Sequence, residues 1–310
     1  MQSLDDLPAG LPVVRGTARS LERFRSCRLP ANATVFHSSY YRLPVHRTMP
    51  TVVTVHDFIY ERFNSGPRRW IHMAQKHAAI RQAQAIICIS EATRHDLEEW
   101  VGVRPDQQVH VIHNGVAKTY RPLSALVPAP RPYVLYVGER GGYKNFGLVL
   151  QAMDLLPDLE LRCVGGGALR AEELVAAPVS VRGRVRHLGF VDEEALNEIY
   201  NRAMCLAYPS SYEGFGIPVI EAMRAGCPVV CIDCKAVLEV GRGALTMAEA
   251  ADPRLLAGAI ERTGDPLYRS QIITAGLEVA QQYSWRATHA RTLRVYRSLG
   301  ADLNVGDGLA

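Results

Sequence analysis

The sequence has no long apolar stretch, no internal repeat and few of the common catalytic signatures. No run of about 18 apolar residues occurs, so we expect no transmembrane helix, and the N-terminus lacks a signal-peptide pattern. The motifs H-E-x-x-H and G-x-x-x-x-G-K-[ST] are both absent. Their absence argues against a zinc-peptidase site and against a P-loop nucleotide site.

Charge and cysteine content are both modest. The chain has 310 residues, of which 48% are apolar, enough for two hydrophobic cores. A net charge of +4 does not predict nucleic acid as a partner, although a basic face still favours anionic donors or lipid surfaces. The seven cysteines lie mostly in apolar runs, which predicts buried, reduced thiols and a cytoplasmic protein, with peripheral contact at the inner membrane face left open. For the pair Cys231 and Cys234, core packing is favoured over a redox or zinc role.

The most informative segment runs from Tyr212 to Met223 and reads YEGFGIPVIEAM. Glu213 and Glu221 stand on either side of a glycine-rich turn that leads into a predicted helix, for which Pro218 suits the first turn. Free backbone N–H groups and a positive helix end therefore lie between two acids. Such a site suits a ligand that is anionic at one end and rich in hydroxyls at the other, as a nucleotide sugar is. The alternative is an ordinary turn and a solvated helix residue.

Two cations follow a predicted strand upstream. The run 131–138 is typical of a buried strand, and Arg140 and Lys144 come directly after it, with Asn145 predicted to cap a helix over 146–153. Ligands of open α/β sheets bind at the carboxyl ends of the strands. The alternative is a solvated basic loop. A second strand ends in Gly165-Gly166-Gly167, but this is not a dinucleotide fingerprint because the last glycine position is occupied by another residue.

Together these segments resemble the retaining glycosyltransferases of the GT-B fold, in particular family 4 (group 1), over about residues 33–300 and most strongly over 133–240. The resemblance implies an α/β fold of two Rossmann-like domains that face a cleft. It implies that Glu213 contacts the donor sugar, that Glu221 holds the ribose, and that Arg140 and Lys144 hold the diphosphate. The remaining implied donor contacts are Gly214, Phe215, Gly216 and Val191.

The resemblance also bears on metals. Many transferases hold a divalent ion with a D-x-D motif, and this chain contains none. Fixed cations and helix N-termini would then neutralise the departing phosphate. We therefore expect no metal and no cofactor, with the nucleotide sugar as a substrate.

The N-terminal half supplies the other wall of the expected cleft. Residues 51–55 form a predicted strand, and His56 and Asp57 follow it. The resemblance implies that His56 lines the catalytic centre, whereas the alternative for a lone histidine is a core residue with satisfied hydrogen bonds. Asp57, together with His37, Ser38 and Arg42 from the segment before it, is predicted on the acceptor side.

The proline-rich segment 122–132 is predicted to be a linker. It separates an acceptor-side domain over 1–121 from a donor domain over 133–285, and 286–310 is predicted as a final helix and tail. Residues 1–33 show no opening strand, glycine loop and helix of the GT-B type, so we expect an abbreviated N-terminal domain. A basic segment at 14–25 is interpreted as helical or linking, and a partner or further segment could complete the domain.

The predicted activity is retaining, metal-independent transfer of a hexose from a nucleotide diphosphate sugar to a hydroxyl. The acceptor is a glycan, a lipid-linked compound or a small molecule, and the expected setting is bacterial polysaccharide or glycoconjugate synthesis. The alternative is a nucleotide-sugar-binding module that is inactive until a partner completes its N-terminal domain. Donor base and sugar stay open.

Overall fold

The computed structural model describes residues 25–30, 32–38, 40–124, 126–127 and 129–301. These residues contain two parallel sheets, one of four strands and one of six strands. Mixed α/β structure with parallel sheets confirms the predicted fold class. The basic segment predicted at 14–25 lies outside the described residues except for Arg25, and so does most of the region predicted to lack an opening strand.

The first sheet follows the chain in simple order. Its elements are β1 (Phe36–Ser38), β2 (Thr51–Val55), α1 (Ile59–Phe63), α2 (Pro67–Gln82), β3 (Ala85–Cys88), α3 (Glu91–Trp100) and β4 (Gln108–Val111). Because side chains alternate along a strand, Val53 and Ile86 point to one face, where they pack with Ile80 of α2 and Leu97 of α3. Ser90 caps α3 by accepting a hydrogen bond from the Thr93 amide.

The second sheet reverses its strand order once. Its elements are β5 (Tyr133–Val137), α4 (Phe146–Asp154), β6 (Glu160–Val164), α5 (Ala171–Ala176), α6 (Val179–Arg182), β7 (Val185–His187), α7 (Glu193–Arg202), β8 (Cys205–Tyr208), α8 (Ile217–Arg224), β9 (Val229–Cys231), α9 (Lys235–Gly241), β10 (Thr246–Met247), α10 (Pro253–Arg262) and α11 (Pro266–Ala280). The chain runs outward through β5, β6 and β7 and then returns to pair β8 with β5. A ligand crevice is expected outside the carboxyl ends of the strands at this switch point.

The last helix, α12 (Trp285–Ser298), crosses back to the first sheet. Val295 packs against Val52 and Ile87, on the face opposite α2 and α3. The Thr288 hydroxyl donates to the carbonyl of His113 at 2.7 Å. The N-terminal sheet is therefore covered on its second face by a helix from the far end of the chain.

Two composition-based expectations can be compared with the fold. No helix among the described residues is long and apolar enough to cross a membrane. None of the seven cysteines, all of which are among the described residues, forms a disulfide; six of them are buried and Cys27 is half-buried. Burial raises the pKa of the Cys231 thiol to about 12 and that of Cys234 to about 11, so both are protonated at neutral pH.

The start of α12 imposes a glycine at position 115. A Cβ on Gly115 would lie 2.1 Å from the Trp285 amide nitrogen and 2.5 Å from the Ser284 carbonyl carbon. Both are backbone atoms, so the last helix would have to move. We expect Gly115→Ala to lower the free energy of unfolding by about 1–3 kcal/mol, as overpacking does.

The measurement is equilibrium unfolding in urea, with Gly258→Ala as the matched control. Gly258 lies within α10, and its added Cβ would meet nothing within 4 Å. This control should be neutral or stabilising by about 0.5–1 kcal/mol because alanine favours the helix. Equal stability of the Gly115→Ala variant and the parent chain would contradict the close packing of α12.

Candidate active site

The motif loop 212–216 bridges the two domains at Gly214. The carbonyl oxygen of Gly214 accepts hydrogen bonds from the Ser90 hydroxyl at 2.6 Å and from the Thr93 hydroxyl at 3.0 Å. A Cβ on Gly214 would lie 1.8 Å from the His56 carbonyl oxygen. Glycine is thus required here by the close approach of the N-terminal domain, which places His56 against the motif.

Tyr212 makes a second bridge. Its hydroxyl donates to Asp96 Oδ2 at 2.7 Å and accepts from the Phe58 amide at 2.8 Å. Arg62 pairs with Asp96 at 2.5 Å and lies over the Tyr212 ring. The residue just before Glu213 is therefore held by the first domain, which fixes where the motif loop enters the cleft.

Glu213 and Lys144 form a direct ion pair. Lys144 Nζ lies 2.5 Å from Glu213 Oε1, and both side chains are largely buried. The Tyr208 hydroxyl is also hydrogen-bonded to Glu213, whose charge helps burial to raise the pKa of that tyrosine. The predicted sugar contact and one predicted diphosphate contact are thus brought together in one ion pair.

The loop that carries Lys144 is fastened to the chain before the motif. Asn145 has a left-handed backbone with φ of 51° and makes no side-chain cap bond to α4. Asn145 thus stands at the predicted cap position, but its side-chain amide does not cap the helix and instead donates to the Pro209 carbonyl at 2.9 Å. The Ser211 amide donates to the Tyr143 carbonyl at 2.9 Å. These bonds keep Lys144 beside Glu213.

Arg140 is turned into the protein. Its guanidinium donates to Glu173 at 3.1 Å and to the carbonyl oxygens of the glycine loop 165–168 at 2.8–3.1 Å. The three glycines of this loop all have φ near +70° to +79°, a conformation that other residues rarely adopt. In this structure Arg140 shapes the second loop of the sheet edge, and its side chain is 2% exposed. Its contact with a diphosphate stays a prediction.

Glu221 lies on α8, half-buried between tyrosines. The Tyr200 hydroxyl donates to Glu221 Oε2 at 3.0 Å, and Tyr120 supplies a second hydroxyl. No described residue forms a salt bridge with it. Burial raises the pKa of Glu221 to about 7, although both tyrosine hydrogen bonds oppose the shift. The carboxyl is thus poised to titrate near neutral pH, and further hydroxyl donors would favour its charged form.

The remaining predicted donor contacts fall into two groups. Gly216 is the residue before α8, and the Phe215 ring is buried beside Tyr283, so the side chain of Phe215 is not available to a ligand. Val191 follows β7 and adjoins Phe190, whose side chain is 96% exposed at the same sheet edge.

His56 and Asp57 rest on a buried charged cluster. Lys76 Nζ donates to the Asp57 carbonyl and pairs with Glu61 at 3.1 Å, with both charged groups almost fully buried. His77 contributes a second hydrogen bond to Glu61 at 3.1 Å. Enclosure of the ring lowers the pKa of His56, so it is neutral at pH 7. No sequence pattern points to Lys76, because a lysine within an amphipathic helix pattern indicates a solvated face.

The predicted acceptor-side residues do not form one site. His37 and His56 line a pocket of about 390 Å³, together with Thr54, Ile87, Ile89, Ile112, Asn114, Trp285, Thr288 and Thr292. Ser38 pairs with Val53 in the sheet, on the opposite face from His37, and its hydroxyl is buried with no partner among the described residues. Arg42 donates to the Arg25 carbonyl and lines a different pocket.

A further contact between the domains was missed by sequence reasoning. Glu239 on α9 accepts hydrogen bonds from the Glu91 and Ala92 amides at the start of α3, at 2.9 and 3.1 Å. It also pairs with His113 at 2.8 Å. An isolated glutamate carries no motif, so only the fold reveals this contact.

Among the described residues, no group of three or more His, Cys, Asp or Glu side chains is arranged to hold a metal ion.

Two family models match successive parts of the chain. The model of glycosyl transferases group 1 matches residues 124–263, which include the Lys144 loop and the whole motif. The model of glycosyltransferase family 4 matches residues 4–119, which include His56. The division between the two matches falls within the proline-rich segment.

Relatives and solved structures agree with the family models. The chain is 29% identical to the O-antigen chain mannosyltransferase B of Escherichia coli over 286 residues, which is 86% of this chain and 74% of that protein. It is 30% identical to the alpha-maltose-1-phosphate synthase of Mycolicibacterium smegmatis over 256 residues, covering 73% and 66% respectively. Sucrose-phosphate synthase from Thermosynechococcus elongatus superposes with a TM-score of 0.72 at 23% identity, over 86% of this chain and 74% of that one.

A structure of Anabaena Alr3699/HepE in complex with UDP-glucose superposes with a TM-score of 0.66 at 17% identity, over 80% of this chain and 72% of that one. At such identities the likeness establishes the fold. The family models, the related enzymes and the shared architecture agree, so the resemblance to glycosyltransferases that the motifs predict is confirmed. The chain belongs to the GT-B glycosyltransferases of the group 1 and family 4 type.

Proposed function

We propose that this glycosyltransferase moves a hexose from a nucleotide diphosphate sugar to a hydroxyl acceptor in polysaccharide or glycoconjugate synthesis, with retention of configuration and without a metal ion. The observation that carries the proposal is the Lys144–Glu213 pair, which stands beside the start of α8 at the boundary of the two domains. A cation and helix N–H groups suit a diphosphate, and a carboxylate suits sugar hydroxyls. The mannosyltransferase from Escherichia coli and the UDP-glucose complex of HepE support this choice of substrate class.

Each side chain then has a separate part. The diphosphate replaces Glu213 as the partner of Lys144, and the released carboxylate of Glu213 accepts hydrogen bonds from the sugar. Glu221 accepts from the ribose hydroxyls. Arg140 holds the conformation of the glycine loop 165–168 next to the phosphates by hydrogen bonds to its carbonyl oxygens. Its positive charge also attracts the diphosphate.

The transfer step itself needs no nucleophile from the enzyme. The acceptor oxygen attacks the anomeric carbon from the face that the phosphate leaves. As the bond from that carbon to the phosphate oxygen breaks, its electron pair stays on the phosphate, and the departing phosphate takes the acceptor proton. Lys144 and the N–H groups at the start of α8 stabilise the charge that develops.

The first test concerns metals. Because fixed cations and a helix end supply the positive field, transfer should continue at its full rate in excess EDTA. The measurement is release of nucleoside diphosphate with and without the chelator, with a metal-dependent phosphatase as a control for chelation. Loss of activity that added Mg²⁺ or Mn²⁺ restores would contradict the metal-independent mechanism.

The second test concerns Lys144. Lys144→Ala removes a charge-assisted contact, so affinity for the nucleoside diphosphate should fall by about 1.5–3 kcal/mol. Isothermal titration calorimetry measures the loss. Lys118→Ala is the matched control, since Lys118 is exposed and stands outside the motif loops. Equal affinity of the Lys144→Ala variant and the parent chain would remove Lys144 from the donor site.

The third test concerns pH and Glu221. Ribose hydroxyls donate to a carboxylate, so the donor binds the ionised form better. With the pKa of Glu221 raised to about 7, affinity for the nucleotide sugar should rise between about pH 6 and pH 8. The diphosphate diester of the donor does not itself titrate there. In Glu221→Gln the affinity should be lower and nearly independent of pH.

The same variant has a stability signature of opposite sign. A carboxyl whose pKa is higher in the folded than in the unfolded protein binds its proton more tightly in the folded state. The free energy of unfolding therefore falls as pH rises from the pKa of the unfolded state to about 7. Above that range Glu221→Gln should unfold at higher urea concentration than the parent, and at acid pH the two should agree. Glu278→Gln, an exposed change on α11, controls for the lost charge. A pH-dependent affinity that persists in Glu221→Gln would assign the titration to another group.

A further inference from the structure

A pocket of about 390 Å³ lies between the first sheet and α12, and we call it the α12 pocket. Its floor comes from the second face of the sheet, including Ile87, and its roof from Trp285 and Thr288 of α12. His56 and Asn114, which follow β2 and β4, place one end of the pocket at the carboxyl edge of the sheet. Because the His56 carbonyl lies against Gly214, this end adjoins the donor motif. Its volume falls within the range of about 300–1,000 Å³ typical of small-molecule sites.

The α12 pocket carries no fixed charge. None of the described residues that line it is Lys, Arg, Asp or Glu. His37 is held by Thr54 at 2.8 Å and by the Tyr296 hydroxyl at 2.6 Å, and burial lowers its pKa to about 4. Both histidines of the wall are therefore neutral at pH 7. An anionic ligand would lose its hydration without gaining a counter-charge, which favours an uncharged ligand.

Polar residues with unused hydrogen-bonding capacity line this neutral space. The side chains of His56 and Asn114 and the indole N–H of Trp285 make no hydrogen bond to any described residue. The Trp285 side chain is 53% exposed although it is a large aromatic group. A broad aromatic face beside free donors and acceptors is complementary to a sugar ring, which has apolar C–H faces and hydroxyls at its edge.

We propose that the α12 pocket binds the acceptor as an uncharged sugar residue, with Trp285 stacking on the ring and Asn114 and His56 bonding to its hydroxyls. This inference rests on the proposed function and narrows its acceptor from any hydroxyl compound to a carbohydrate. It also gives the last helix a part in acceptor recognition. Both ring nitrogens of His37 are already hydrogen-bonded, so His37 lines the pocket without bonding to the sugar.

A single-tryptophan chain tests binding directly. Trp70→Phe with Trp100→Phe leaves Trp285 as the only one of the three tryptophans. Its emission is followed during titration with the methyl glycosides of glucose, galactose and mannose, in the presence of nucleoside diphosphate. A saturable change with at least one glycoside is expected, with none for cyclohexanol or hexyl phosphate. A saturable response to hexyl phosphate, or none to any glycoside, overturns the proposal.

Kinetics supply the second measurement. Trp285→Ala should raise KM for the methyl glycoside by about tenfold, equivalent to about 1.4 kcal/mol, and leave affinity for nucleoside diphosphate within about twofold. Trp70→Ala, a change at a 63% exposed tryptophan on α2, is the matched control and should alter neither value. An unchanged KM in Trp285→Ala overturns the proposal. Failure of the donor assignment would appear separately, as absence of nucleotide binding in every chain including the parent.

Discussion

The backbone contact at Gly214 is the constraint on which the site depends. Its carbonyl accepts from Ser90 and Thr93, and its Cα lies where a Cβ would be 1.8 Å from the His56 carbonyl. Glu213 precedes this contact and α8 begins shortly after it, so the position of both is set relative to the first domain. A side chain at position 214 would separate Glu213 from His56 across the cleft.

Charge compensation explains which groups are available to a ligand. Arg140 is 2% exposed and pairs with Glu173, and Lys76 is equally enclosed with Glu61, so exchanging either partner would leave a buried charge uncompensated. Lys144 is 16% exposed, and among the described residues its one charged partner is Glu213. If the proposed function holds, an incoming diphosphate replaces that carboxylate at lower cost, because the sugar that arrives with it satisfies Glu213. Under that proposal, Lys144 is available to the donor because its partner is a group that the donor itself can satisfy.

Local patterns predicted the strands well, because strand formation depends on neighbouring residues. The strand at 51–55 and the strand within 131–138 are found as predicted. What the sequence could not predict is the direction of side chains at the sheet edge. The position of Arg140 after a strand was correctly inferred, yet its partners lie 25 to 33 residues further on and draw it into the protein. Asn145 likewise bonds 64 residues away rather than to its own helix, and no local pattern encodes either choice.

The contacts of α12 could not be predicted from local sequence either, and they determine which parts of the protein would move together. The sequence predicts a final helix, but the contacts of this helix with His37, Val52 and His113 span most of the chain. All three partners belong to the first domain, so α12 forms part of that domain although it follows the second in sequence. A rigid-body opening of the cleft would thus carry Trp285 with His56 and carry Glu213 with Lys144. Closure would bring the two preformed halves together at Gly214, without rebuilding either half.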